Sequence, residues 1–243
     1  MKVLGVIPAR WGSTRFEAKV LASLAGKPMI QHVWERAKQA KRLTKLIIAT
    51  DHADVEKCAK SFGANVMMTR VNHPNGSSRV AEVASREEVD IIINIQGDEP
   101  MIHPQAIDQL AAVFESHPDT HVATLAVPRT DREDYTNPNV VKVVVDQEGD
   151  ALYFSRSPIP YLRDADSPLQ YLKHLGIYGY RKEFLLEFVT WSTGRLEEAE
   201  KLEQLRILEQ DYKIRVIPTP YDSWSVDTAE DLKLVEGKIG SQI

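Results

Sequence analysis

Cysteine is almost absent from this chain of 243 residues, which contains only Cys58. A single cysteine excludes a disulfide within the chain and suits a reducing compartment such as the cytoplasm. Cys58 shares helical spacing with Val55, Ala59 and Phe62, so we interpret it as a core residue. The sequence therefore predicts neither a disulfide-stabilised fold nor catalysis by a thiol.

Long apolar runs and a strong positive charge are also missing. No stretch approaches the roughly 18 apolar residues of a membrane helix. Residues 1–8 superficially resemble a signal sequence, but their apolar run is short and ends at Pro8, so we interpret it as a first strand. The net charge of -5 gives no reason to expect nucleic acid or an anionic membrane as a partner.

Glycine is scarce in the loop after this first strand, where Gly12 stands alone. The loop has neither the Gly-Lys-Ser/Thr ending of a Walker motif nor the three glycines of a dinucleotide fingerprint. It carries Arg10, Arg15 and Lys19, with the hydroxyl of Ser13 among them. Such a loop could be a solvated basic surface, but cations beside backbone N–H groups also suit a polyphosphate. Because it follows the first strand of an α/β sheet, we expect a phosphate or nucleotide site here.

The first half of the chain alternates between predicted strands and predicted helices. Short β-branched or apolar runs indicate strands at residues 3–7, 46–51, 66–68 and 91–95. Apolar residues at helical spacing lie between these runs and again after residue 104. This order predicts an α/β fold with a mostly parallel sheet and helices on both faces.

The stretch from Ile91 to Pro100 is the centre of the sequence-based prediction. It starts with the composition of a fully buried parallel strand and ends in Gly97, Asp98 and Glu99. Ligands of open α/β sheets bind beyond the carboxyl ends of the strands. Asp98, beside a glycine that permits close approach, is therefore a candidate metal ligand, although an acidic turn closing a strand would look the same.

The second half of the chain indicates a mixed sheet. Strands are predicted at residues 122–127, 140–145, 151–154, 174–180 and 214–218. Residues 196–209 are predicted to form one charged helix. A final helix begins near Asp227, where Thr228 and Asp231 have the spacing of a capping box. Asp227 could therefore simply precede a capped helix, which is the commoner role of such a residue.

Several segments together resemble one enzyme family. Residues 6–10, with Ser13, Arg15 and Lys19, are similar to the CTP-binding opening of the cytidylyltransferases that activate acidic sugars. Gln-Gly-Asp-Glu-Pro at residues 96–100 resembles their metal-binding segment. Residues 151–156, 174–180, 202–206 and 226–228 resemble one branch of this family in particular. That branch is the 3-deoxy-manno-octulosonate (Kdo) cytidylyltransferase family, also called the CMP-Kdo synthetase family. The resemblance runs from residue 3 to about 235.

This resemblance implies the reaction CTP + Kdo → CMP-Kdo + pyrophosphate, for lipopolysaccharide biosynthesis. It implies a three-layer, Rossmann-like fold of the nucleotide-diphospho-sugar transferase type. Residues 1–243 would form a single domain, in which 1–128 mainly bind CTP and 129–243 mainly bind the sugar and complete the metal site. It also implies a cytoplasmic homodimer that needs Mg²⁺.

The family's functional residues are carried over position by position. Asp98 and Asp227 would bind Mg²⁺, and Lys19 and Arg10 would act with them in catalysis by neutralising the triphosphate. The residues implied for CTP binding are Pro8, Ala9, Arg10, Ser13, Arg15, Lys19, Ser77 and Gln96. Those implied for sugar binding are Arg156, His174, Tyr178, Glu203 and Gln204. Without the resemblance, Glu203 could pair with a cation on a solvated helix face, His174 could be a structural histidine, and Tyr178 could be a packing aromatic.

The sequence departs from the family pattern at three positions. Glu17 and Ala18 stand where the family usually has Pro and Gly, and Ser78 stands where it usually has an acid. The first two changes alter the backbone angles allowed to the loop, and Glu17 adds an anion near the expected triphosphate. Two alternatives therefore stay open: a cytidylyltransferase for a related acidic sugar, such as 8-amino-Kdo or an acylneuraminate, and a CTP- and sugar-binding homologue with impaired catalysis.

Overall fold

A computed structural model describes residues 1–12, 18–164 and 168–240, and in it the predicted strands occur in the predicted order. Helices at residues 132–136 and 182–188 were not predicted. The strands are β1 (Val3–Ala9), β2 (Ser23–Leu24), β3 (Lys27–Pro28), β4 (Lys45–Thr50), β5 (Asn65–Met68), β6 (Ile91–Asn94), β7 (Val122–Arg129), β8 (Lys142–Val145), β9 (Ala151–Ser155), β10 (Tyr171–Arg181) and β11 (Arg215–Pro218). The helices are α1 (Met29–Ala37), α2 (Ala53–Ser61), α3 (Gly76–Ser85), α4 (Pro104–Ser116), α5 (Arg132–Thr136), α6 (Lys182–Phe188), α7 (Arg195–Glu200), α8 (Leu205–Glu209) and α9 (Ala229–Gly240). A short 3-10 helix covers Lys19–Leu21.

One large sheet contains nine of these strands within the described part of the chain. Its main path runs in the order β11-β7-β10-β6-β1-β4-β5, and β8 pairs with β10 and β9 beside that path. Strands β1, β4, β5 and β6 are parallel, whereas β10 lies antiparallel between β6 and β7. The predicted change from a parallel first half to a mixed second half is confirmed.

Helices cover both faces of the sheet, as the alternation predicted. Successive residues of a strand point to opposite faces, so Ile91 and Ile93 join one core cluster and Ile92 joins the other. Helices α1, α2 and α4 contribute to the first cluster, and α3, α6 and α8 to the second. The protein is thus a three-layer α/β structure, and β6, buried along its whole length, lies in the middle layer.

The prediction of one continuous helix over residues 196–209 was wrong. Helix α7 ends at Glu200, and Lys201 adopts a left-handed conformation with a φ of 54°. A residue in this conformation ends a helix, and α8 begins only at Leu205. Leu202, in the segment between the two helices, and Leu205 on α8 are both buried in the core. The apolar residues whose spacing suggested one helix therefore reach the same core without forming one.

A small hairpin between β2 and β3 was absent from the sequence-based prediction. Its two central residues, Ala25 and Gly26, have φ angles of 48° and 80°. Two positive φ angles define a type I′ turn, which favours Gly or Asn at both positions. The turn is hard to recognise in the sequence because Ala25 is a poor residue for the conformation that it adopts.

The interpretation of Cys58 as a core residue holds only in part. Cys58 lies on α2 and is only partly buried, and this burial raises the pKa of its thiol. The N-terminal apolar run forms β1, as predicted. Among the residues that the structure describes, no helix is both long enough and apolar enough to cross a membrane.

Candidate active site

Two adjoining cavities open beyond the carboxyl ends of the central strands. The first has a volume of about 310 Å³ and the second about 700 Å³. Gln96, Asp98 and Asp227 line both cavities. The two acids that the sequence singled out therefore stand at the boundary between two binding spaces.

Lys19 joins these two acids. Its ammonium lies 2.8 Å from an Asp98 carboxylate oxygen and 3.0 Å from an Asp227 carboxylate oxygen. Burial alone would lower the pKa of Lys19, but the carboxylates of Asp98 and Asp227 outweigh that effect and raise the pKa. Two carboxylates thus converge on one cation at the junction of the cavities.

Backbone contacts bring Asp98 and Asp227 together. Gly97 packs so closely on the end of β1 that a Cβ at this position would lie 2.6 Å from the carbonyl oxygen of Pro8. The Val226 N–H donates to the Asp98 carbonyl oxygen at 2.9 Å, which pins the C-terminal segment beside β6. The close approach requires glycine, so the Gly97 that precedes Asp98 has a packing role.

The predicted capping box at the start of α9 is present. The Thr228 N–H donates to the Asp231 carboxylate at 2.8 Å, and the Asp231 N–H donates to the Thr228 hydroxyl at 3.2 Å. This reciprocal pair fixes the turn that contains Asp227. Asp227 therefore does precede a capped helix, and its carboxylate also reaches the junction of the cavities.

The wall of the second cavity is built around an irregularity in β10. The register between β10 and β7 shifts between Leu175 and Tyr178, as in the β-bulges that occur beside active sites. The His174 ring nitrogen Nε2 lies 2.9 Å from the Tyr178 hydroxyl and 3.1 Å from the Thr124 hydroxyl. Burial lowers the pKa of His174 to about 3, so its ring is neutral at physiological pH.

Glu203 connects the second cavity to the start of α3. Its carboxylate accepts hydrogen bonds from the Asn75 amide at 2.8 Å and from the Ser77 hydroxyl at 2.7 Å. Burial raises the pKa of Glu203, against the opposing effects of Ser77 and Arg206. Glu203 does pair with a cation, because Arg206 Nη2 lies 3.4 Å from its carboxylate. It does so at the wall of the second cavity and not on a solvated helix face, since α8 begins only at Leu205.

Arg156 enters the same cavity from the end of β9. Its Nε donates to the Glu200 carbonyl oxygen at 2.8 Å, and its Nη1 donates to the Pro138 carbonyl oxygen at 3.0 Å. Its side chain is therefore oriented by two backbone acceptors, which would hold the guanidinium ready for an anionic group.

The remaining predicted residues fall into three groups. Pro8, Arg10 and Lys19 line the first cavity, whereas Ala9 is completely buried in β1. Gln204 lines the second cavity with the predicted sugar-binding residues, and so does Ser77, which was predicted on the nucleotide side. The third group, Ser13, Arg15 and Glu17, lies outside the described residues.

The N-cap of α3 is Asn75, whose side chain accepts a hydrogen bond from the Ser78 N–H at 2.9 Å. Ser78 also donates its hydroxyl to the Asn75 carbonyl oxygen at 3.0 Å.

Glu99 and Lys173 line the second cavity but were not singled out from the sequence. Burial and the nearby Asp98 carboxylate raise the pKa of Glu99 to about 7. The Lys173 ammonium lies 3.0 Å from a carboxylate oxygen of Asp222. Their positions directly after Asp98 and directly before His174 were the only hints in the sequence.

Comparisons with known proteins agree with this geometry. A family model described as cytidylyltransferase matches residues 4–214. A 3-deoxy-manno-octulosonate cytidylyltransferase of Solibacter usitatus is 55% identical over 234 residues, which cover 96% of this chain and 93% of that protein. One of the same name from Geobacter metallireducens is 46% identical, covering 98% of each chain. A solved structure of a CMP:2-keto-3-deoxy-manno-octonic acid synthetase complexed with CTP has a TM-score of 0.95 and 42% identity, covering 100% of both chains.

Proposed function

The chain belongs to the cytidylyltransferase family, and we propose on that premise that it transfers CMP from CTP to Kdo, forming CMP-Kdo and pyrophosphate. It is a nucleotidyltransferase of the CMP-Kdo synthetase type. The observation that carries this proposal is the pair of adjoining cavities with Asp98 and Asp227 at their boundary.

The two cavities match the two substrates in position and chemistry. CTP occupies the first cavity, where Arg10 and Lys19 supply positive charge near the end of β1. Kdo occupies the second cavity, so its 2-hydroxyl and the CTP α-phosphate meet at the boundary. Such a reaction depends mainly on orientation and on stabilising negative charge as pyrophosphate leaves.

The sugar side combines one cation with several hydroxyl partners. Arg156, held by backbone carbonyls, binds the Kdo carboxylate. Glu203 and Gln204 offer acceptors or donors to sugar hydroxyls, and Tyr178 and neutral His174 complete that wall. The pairing of Glu203 with Ser77 and Asn75 makes one side of the sugar pocket continuous with the nucleotide side.

The two shared carboxylates also fit a Mg²⁺ ion. Both already converge on a single cation, the Lys19 ammonium. Within the described residues, no cluster of three or more His, Cys, Asp or Glu side chains forms a complete metal site, and Mg²⁺ typically takes one or two carboxylates together with substrate phosphates. Asp98 and Asp227 would hold the ion, which when bound would polarise the phosphate and lower the pKa of the attacking hydroxyl.

Further parts of the proposal concern the whole molecule. Residues 1–243 form a single catalytic domain, in which 1–128 mainly bind CTP and 129–243 mainly bind the sugar. The enzyme acts in the cytoplasm as a homodimer. The groove lined by Pro128, Val144, Pro160 and Leu172 supports an apolar subunit contact, and the residue that follows Pro160, Tyr161, is 84% exposed.

The decisive assay measures pyrophosphate release from CTP with Kdo, 8-amino-Kdo or N-acetylneuraminate, with UTP, ATP and GTP as nucleotide controls. We expect release with CTP and Kdo only. Release with only another acidic sugar would keep the chemistry and change the substrate, and CTP binding without release would identify an inactive homologue.

The metal assignment needs its own variants. Asp98→Asn and Asp227→Asn should each lower kcat by about 100-fold or more, in the range seen when a group that stabilises transition-state charge is removed. Asp54→Asn is the matched control, because the Asp54 side chain is 66% exposed on α2. Unchanged turnover in both site variants would show that these carboxylates do not hold the metal.

A further inference from the structure

Lys142 is a buried lysine whose ammonium is bound by backbone carbonyls. The residue has no exposed surface. Its Nζ donates to the carbonyl oxygens of Asn137 at 3.0 Å, Val140 at 2.5 Å and Arg156 at 2.6 Å. An ammonium has three N–H donors, so these three acceptors use them all.

This arrangement is specific to a lysine. Burial lowers the pKa of Lys142, and the Glu200 and Asp134 carboxylates act on it only from a distance, in opposition to Arg156. A buried charge is costly unless its hydrogen bonds are satisfied. A methionine of similar length would fill the space but would leave three buried carbonyl groups without a donor.

The three carbonyls belong to two separate segments of the sugar cavity. Asn137 and Val140 lie in the loop between α5 and β8, and this loop lines the second cavity. Arg156 follows β9 and would bind the sugar carboxylate. The same two segments are joined a second time, because Arg156 Nη1 donates to the carbonyl oxygen of Pro138.

We propose that Lys142 is a positioning residue for sugar binding: it fixes the loop at residues 137–140 to the backbone of Arg156, and thereby sets where the Arg156 guanidinium stands in the sugar cavity. This inference rests on the proposed function for the identity of the sugar. Lys142 itself would contact neither substrate, because it is completely buried and lines neither cavity.

The test compares Lys142→Met with Lys182→Met. Lys182 is a matched control, because it also donates to a backbone carbonyl, that of Glu87 at 2.7 Å, but it lies at the opposite end of β10 from His174. In Lys142→Met we expect the KM for Kdo to rise about 10- to 100-fold, the cost of a misplaced binding group. The KM for CTP should stay within about twofold of wild type, because the first cavity is not connected to Lys142 by these contacts.

A second readout measures the loop directly. Amide hydrogen exchange at Asn137, Asn139, Val140, Val141 and Arg156 should become faster in Lys142→Met and should be unchanged in Lys182→Met. Lys142→Gln keeps two of the three N–H donors and should show an intermediate KM for Kdo. This variant provides the test if the methionine variant does not fold.

The outcomes separate the positioning role from the proposed function. Equal increases in both KM values, no change in either, or loss of the fold in both Lys142 variants would overturn the positioning role. A wild-type protein that releases no pyrophosphate with Kdo would overturn the proposed function instead. In that case the exchange of the loop amides still tests whether Lys142 joins the two segments.

Discussion

Replacing Lys19 with methionine should strengthen metal binding by the enzyme in the absence of nucleotide. In the structure the Lys19 ammonium occupies the position between Asp98 and Asp227, the two carboxylates proposed to hold Mg²⁺. A metal ion that enters before CTP must therefore displace an ammonium from both acids. Methionine keeps the length of the side chain and removes this competing charge.

The size of the effect follows from the two contacts. Two unit charges about 4 Å apart interact by about 4 kcal/mol at an effective dielectric constant of about 20. The Asp98 and Asp227 side chains are 30% and 47% exposed, so solvent screening reduces each contact to about 1 kcal/mol. Together they amount to about 2 kcal/mol, which corresponds to a factor of about 30 in metal affinity.

The assay is a titration of nucleotide-free enzyme with Mn²⁺, followed by electron paramagnetic resonance of the free ion. We expect the Kd of Lys19→Met to be about 10- to 30-fold lower than that of wild type. Adding Asp98→Asn should abolish the gain, and Lys27→Met, which changes an exposed lysine paired with Glu35, should leave the Kd unchanged. Equal or weaker Mn²⁺ binding by Lys19→Met would refute the competition between ammonium and metal.

Three other predictions concern pH and stability. Burial opposes ionisation of Glu82, but hydrogen bonds from His73 and Arg70 lower its pKa to about 2. The carboxylate should therefore stabilise the fold above pH 4.5 by up to about 3 kcal/mol. In urea unfolding, Glu82→Gln should lose this amount of stability at pH 7 and progressively less as the pH falls from 4.5 towards 2. Burial lowers the pKa of His174 to about 3, so a plot of the KM for Kdo against pH should show no histidine titration between about pH 5.5 and 8. A break in this plot near pH 6.5 that disappears in His174→Gln would contradict a neutral ring. Ala25→Gly removes a left-handed alanine with a φ of 48°. The backbone strain that is relieved, about 1–2 kcal/mol, exceeds the stability lost through the greater entropy of the unfolded chain, so the melting temperature should rise by about 2–4 °C. A lower melting temperature would argue against strain in the hairpin.

Most of the fold could be predicted from local patterns along the chain. Three consecutive isoleucines, Ile91–Ile93, can be buried on both faces only by a central strand, and the structure places them in β6. The spacing of Thr228 and Asp231 was sufficient to predict the capping box. In both cases the interacting groups are neighbours in sequence, so the pattern itself contains the physical cause.

Predictions were wrong or missing where the backbone departed from a regular pattern. The left-handed Lys201 interrupts a run of residues whose leucine spacing suits a helix. Ala25 adopts a conformation that its side chain disfavours. Nothing in the residue type marks either position, because alanine and lysine both disfavour the left-handed conformation that they adopt here.

The candidate site shows the same division. Asp98 could be singled out by its place after a buried strand and before a proline, and the chemical types of its surroundings were recognisable from the loop cations and the sugar motifs. The contacts of Asp98 and Asp227 with Lys19 could not be predicted from the sequence, because they join residues that are 79 and 208 positions apart. Their distances depend on the order of strands in the sheet and on the hydrogen bond that pins Val226 to Asp98. The burial of Lys142 between two segments of the second cavity likewise arises only when those segments fold over it.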